Sequence, residues 1–114
     1  MLARKYTLTG KKRFEKVLRE GRFIQANAFG LALLKREDQD QTLFGFIVSA
    51  KVSKEAVQRN RVKRAMSEAV RFLTARAKNG YDIVFLAKQK STQISTDEIM
   101  REVSEILVKT EIVK

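Results

Sequence analysis

One run constrains this chain more than any other: Arg59-Asn60-Arg61-Val62-Lys63-Arg64. Around it, Val62, Met66, Ala69 and Leu73 recur at helical spacing, with Ala65 beside them. That spacing predicts a long helix with one apolar stripe. Ser53 is a candidate cap for it, although the start can fall a few residues later, and Asn79-Gly80 is its expected end. On a 3.6-residue wheel Asn60, Arg64, Ser67 and Arg71 fall opposite the stripe, and Arg61 and Lys63 edge that polar side. Residues 51–78 carry nine Lys/Arg against two Glu. A solvated helix usually mixes signs to form i,i+4 pairs. So one-sided a face repels itself unless an anion meets it, which points to phosphate binding.

The rest of the composition agrees. Over 114 residues the formal net charge is +11, and 44% of residues are hydrophobic. Residues 1–114 are therefore expected to fold as one domain with a real core, not to persist as a basic tail. No apolar run reaches membrane-spanning length and no secretory signal pattern opens the chain, so a cytoplasmic protein is expected. Nucleic acid is the first candidate partner and an anionic membrane surface the second. The absence of Cys and His removes Cys/His zinc sites, thiol nucleophiles and the commonest general base. No disulfide can form, which suits a reducing compartment.

Charge is unevenly placed. Residues 1–36 carry ten Lys/Arg and two Glu, whereas residues 79–114 carry five Lys/Arg and six Asp/Glu. Residues 1–8 read as a flexible basic arm. Thr9 is a candidate cap for a first helix that Gly21 ends, with Phe14, Val17 and Leu18 on one face. Residues 22–35 read as extended, with bulky Phe29, Leu31 and Leu33 alternating with Ala28, Gly30 and Ala32. The bulky face suits packing against a helix and the small face suits a shallow groove. A polar turn at residues 37–41 leads to a strand at residues 43–49, and the two strands read as an antiparallel hairpin. Residues 81–88 form a central strand, parallel to the one before the long helix. Ser95 and Glu98 make a capping box for a last helix, stapled by Ile94 and Ile99, with Val103, Ile106 and Leu107 buried.

The motifs Phe14-x-x-Val17, Phe44-Gly45-Phe46 leading to Ser49-Ala50-Lys51, Arg59 to Arg64, Tyr81-Asp82 and Ala87-Lys88 together resemble the protein subunit of bacterial ribonuclease P. The resemblance spans nearly the whole chain. It implies an α/β (α+β) two-layer sandwich of order α-β-β-β-α-β-α, like domain 2 of ribosomal protein S5. A four-stranded mixed sheet with a left-handed βαβ crossover is implied too. The general rule for such crossovers is right-handed. The implied function is to join a catalytic RNA and help remove the 5′ leader of precursor tRNA. The RNA would perform the hydrolysis, with Mg²⁺ bound mainly by the RNA and no catalytic or metal-binding residue on the protein. No membrane and no protein partner are required.

On this reading Lys51, Lys54, Arg59, Asn60, Arg61, Lys63, Arg64 and Arg71 bind the RNA, since a guanidinium donates two parallel bonds to phosphate. Lys11, Lys12, Phe14, Lys16, Leu18, Ala32, Ala87 and Lys88 form the leader cleft. Phe14 is either a stacking platform or core. Two departures from the family pattern matter. Leu18 and Ala32 stand where aromatics are frequent, so backbone contact would carry more of the affinity, and Ser67 stands where an arginine is common. A noncatalytic RNA-binding module, such as a ribosomal protein, is the alternative. A protein-only nuclease lacks clustered carboxylates for two metals. A helix-turn-helix lacks the short partner helix.

Overall fold

The computed structural model describes residues 2–113. Its elements run α1 (Lys11–Glu20), β1 (Arg22–Gln25), β2 (Phe29–Lys35), β3 (Leu43–Ile47), α2 (Ala56–Arg71), β4 (Tyr81–Ala87) and α3 (Thr96–Lys109). This is the expected element order. The four strands form one mixed sheet in the order β1-β2-β4-β3.

β4 is central because its residues demand it. Ile83, Val84 and Phe85 are fully buried, so both its edges must be paired and both its faces covered. It pairs parallel with β3, as expected, and antiparallel with β2. The expected hairpin between β2 and β3 is therefore not formed; β4 lies between them. The acidic loop joining them is instead laid across the start of β4, where Gly80 N–H donates to the Asp40 carbonyl. The extended stretch 22–35 is itself broken at residues 26–28 into the hairpin β1–β2, with Phe23 opposite Ala32.

The bulky residues of β2 face the larger core, as their alternation implied. Phe29, Leu31 and Leu33 join Phe44, Ile83 and Phe85 against Val62, Met66 and Ala69 of α2 and Ile99, Val103 and Leu107 of α3. Phe85 meets Phe29 edge-on at 5.4 Å and stacks on Phe46 at 5.5 Å. Each such side chain contributes about 1.5–3 kcal/mol by burial. On the other face α1 adds a short third layer, where Val17 packs with Leu8, Ala32 and Val84.

Three boundaries differ from expectation. α2 ends at Arg71, with Phe72 its C-cap, not at Asn79-Gly80. Leu73 N–H closes a tight turn on Val70, a 3-10 turn follows at Thr74–Arg76, and Ala77 bridges to Val113. The backbone at 77–78 is thus engaged with the C-terminal residues and cannot stay helical; Gly80, at φ +92°, turns the chain into β4. Ser53 is not the α2 cap; its Oγ accepts from Glu55 N–H in the preceding turn. Thr9 does not cap α1 either, because Gly10 at φ +95° occupies that position and makes the sharp entry.

The amino-terminal arm is docked. Leu8 is buried, its N–H donates to the Phe44 carbonyl, and Thr7 bridges to the same residue. This segment covers the outer edge of β3, which would otherwise offer unpaired backbone groups. α3 begins as expected: Ser95 Oγ accepts from Glu98 N–H at 3.1 Å.

Candidate nucleic-acid interface

α2 is held by its apolar stripe, so its opposite side must face solvent. Asn60 and Arg64 line both a groove of about 590 Å³ toward α3 and a second of about 330 Å³ toward Phe46 and Leu2. They therefore form the ridge between two grooves, and Lys63 lines the second. Asn60, Lys63 and Arg64 are exposed, and neither cation makes an ion pair among the described residues. Lys51 and Lys54 are exposed in the loop before α2.

The other arginines are partly engaged in the fold. Arg59 Nη1 donates to the Ser53 carbonyl at 2.8 Å and fixes the turn before α2. Arg61 reaches the carbonyls of Thr92 and Ile94 at 3.3 Å and thereby ties α2 to the loop before α3. Arg71 donates to Glu68 at 2.9 Å and lies over the Phe72 ring. A guanidinium has five N–H donors, so each retains some for an outside acceptor.

The second surface lies around α1. The strand register defines a row across the sheet: Gly45, Val84, Ala32 and Phe23. α1 lies over this row, with Val17 packed on Ala32 and Val84. A Cβ on Gly45 would come within 2.5 Å of the Phe14 ring, so the glycine makes room for that ring. Phe14 is thus half core: its ring seals α1 to β3, and it stays partly exposed. With Leu18, Ile47 and Leu86 it makes a half-open apolar strip.

The opposite flank of α1 is a charge clamp. Both oxygens of Asp82 accept from Arg13 Nη2 at 3.0 Å, and Oδ1 accepts from Arg36 Nη1 at 2.6 Å. Arg36 also binds the Asp38 carboxylate and the carbonyls of Tyr81, Asp40 and Gln41. Burial opposes the Arg36 charge, but the hydrogen bonds it donates to Asp38 and Asp82 outweigh it and raise its pKa. The same Arg36 bond, with the Asp40 N–H, lowers the pKa of Asp38. This clamp pins α1 to β2 and β4. Sequence reading missed it, because Arg13 and Asp82 are 69 positions apart.

The expected cleft residues are only partly brought together. Phe14 and Leu18 border the open strip. Ala32 is its sealed floor, fully buried, and not an open groove wall. Lys16 lines the depression beside the clamp, with Arg13 and Asp82. Lys12 is exposed, and Lys11 approaches Glu15 at 4.0 Å. Lys88 Nζ donates to the Ala26 carbonyl at 2.8 Å and staples the β1–β2 turn. Ala87 is misplaced: it shares the parity of Phe85 and packs with the α2/α3 core. Leu86 holds the place expected for it, and strand alternation from Phe85 is the clue that finds it.

The ribonuclease P family model matches residues 2–111. A ribonuclease P protein component from Symbiobacterium thermophilum is 36% identical over 101 residues, covering 89% of this chain and 87% of the relative. One from Dehalococcoides mccartyi is 39% identical over 108 residues, covering 92% and 84%. The solved RNase P protein of Staphylococcus aureus superposes with a TM-score of 0.87 at 22% identity, covering 96% of this chain and 98% of that one. The Thermotoga maritima protein gives 0.79 at 21%, covering 90% and 96%.

Proposed function

The chain belongs to the ribonuclease P protein family and so serves tRNA 5′ processing as a subunit of an endoribonuclease; from that premise we propose how its surfaces divide the work. The α2 ridge docks the RNA subunit: Lys63 and Arg64 meet phosphates, Asn60 adds a hydrogen bond, and Lys51 and Lys54 extend the contact. Arg59, Arg61 and Arg71 contribute the donors their structural bonds leave over. The strip around Phe14, Leu18, Ile47 and Leu86 receives the single-stranded 5′ leader of precursor tRNA, with Lys12 near its backbone. Single strands favour such grooves with a basic rim and an aromatic surface. One observation carries this reading: two cations on a ridge between two grooves, with no acid paired to them among the described residues.

The hydrolysis belongs to the RNA partner and its Mg²⁺. The protein's carboxylates do not fit a Mg²⁺ cage. Asp82, the most buried, is bound by two guanidiniums, and Asp38 is bound by one of them. Among the described residues no group of three or more Asp/Glu could hold a metal ion. The protein's share is to bind, orient and screen charge in the cytoplasm, where its RNA partners are.

The test is reconstitution. Added to a bacterial ribonuclease P RNA at low Mg²⁺, the chain should restore formation of mature 5′ ends. A ribosomal-type RNA binder would not do so. Cleavage by protein freed of RNA would reassign the chemistry to the chain.

A further inference from the structure

Two aromatic rings are exposed, Phe72 at 64% and Phe23 at 49%. The Phe72 ring is covered by the Arg71 guanidinium, 4.5 Å from its centroid. Phe23 has no ring or cation partner among the described residues. It sits on β1, an edge strand, directly across the ladder from Ala32. Residues opposite one another in a ladder share a face, so Phe23 lies on the α1 face of the sheet. It terminates the row Gly45, Val84, Ala32, Phe23 over which α1 lies. The other members of that row are small or fully buried. The row beside it, Ile47, Leu86, Gly30 and Gln25, runs past Phe14 and Leu18 to the same edge.

We propose that Phe23 is a base-stacking residue for precursor tRNA, gripping the 5′ leader where it leaves the strip across β1. This rests on the leader reading above and adds a residue to it. Chemistry favours single-stranded RNA as the occupant. A ring held at a sheet edge offers a flat, sequence-tolerant surface to an unstacked base. Of the five Lys/Arg on the adjoining helix, Arg13, Lys11 and Arg19 face Asp82, Glu15 and Glu20, and exposed Lys12 and Lys16 make no ion pair among the described residues, which leaves two cations for phosphates. Within the row the aromatic stands on β1, while Ala32 on β2 is sealed under α1.

The test uses the reconstituted holoenzyme and three ligands: precursor with a long leader, precursor trimmed to a short leader, and mature tRNA. Phe23→Ala should weaken long-leader binding about fivefold or more, the lower end for loss of one stack. Binding of the short-leader precursor and of mature tRNA should not change. Phe23→Tyr should bind as wild type does, and Phe23→Leu should lose as much as the alanine variant. Equal binding by Phe23→Ala and wild type overturns the proposal, as does a leucine that fully substitutes. Loss of a concentration-dependent dimer in Phe23→Ala, with precursor affinity unchanged, overturns it in favour of a contact between copies. If wild type itself binds long-leader precursor no better than mature tRNA, the leader reading fails as well.

Discussion

The two faces of the sheet are made from the same four strands and carry very different cores. One face sets Phe29, Leu31, Phe44, Ile83 and Phe85 against two helices. The other closes only Leu8, Val17, Ala32 and Val84 under a single short helix and leaves Phe14, Leu18, Ile47 and Leu86 half open. The first face supplies stability and, through the apolar stripe of α2, forces the opposite side of that helix outward. The second trades burial for an accessible strip. The difference leaves a chain of 114 residues with two distinct accessible surfaces, the α2 ridge and the α1 strip.

The contrast can be broken most severely through the larger core. Phe85→Ala should cost about 3–5 kcal/mol in urea unfolding, and Val17→Ala on the thin face only about 2 kcal/mol. Equal losses would mean that the α1 face carries as much of the fold. Asp82→Asn should come next, at about 2–3 kcal/mol, because it leaves Arg36 without its buried counter-charge while Arg13 is still reached by water. With α1 unpinned, precursor binding should fall more than binding to the RNA subunit. Equal falls in both would show that the clamp does not shape the strip. The smallest effect is a pH dependence. Asp38 has a lowered pKa in the fold, so its bond to Arg36 stabilises above the ordinary carboxylate range and is lost as pH falls through the lowered value. Wild type should therefore exceed Asp38→Asn slightly in melting temperature at neutral pH, and the gap should close in acid. A gap that widens in acid would reverse the assigned sign.

Local periodicity and the parallel β3–β4 pair were readable, and the rest of the strand pairing was not. The stripe Val62, Met66, Ala69 of α2 and the Ser95 cap of α3 are set by residues a few positions apart, and both form as read. The hairpin assigned to β2 and β3 failed because chain proximity says nothing of a later strand, β4, that inserts between them. Residues 1–8 carry no regular apolar repeat, so no pattern announced that Leu8 docks on β3. For the site, the ridge was legible as charge, but charge alone did not separate Arg64 from Arg61, whose guanidinium holds a neighbouring loop. Phe23 was not legible at all until the register placed it opposite Ala32.

The central claim is that the α2 ridge meets RNA phosphates. Its most direct test is the salt dependence of affinity for the RNA subunit, compared between wild type and Lys63→Ala/Arg64→Ala. Each phosphate contact contributes roughly 0.7–0.9 to the log–log slope. The account predicts a wild-type slope of roughly −3 to −5, shallower by about 1.5–2 in the double variant, with unchanged thermal unfolding. An identical slope in both proteins would contradict it.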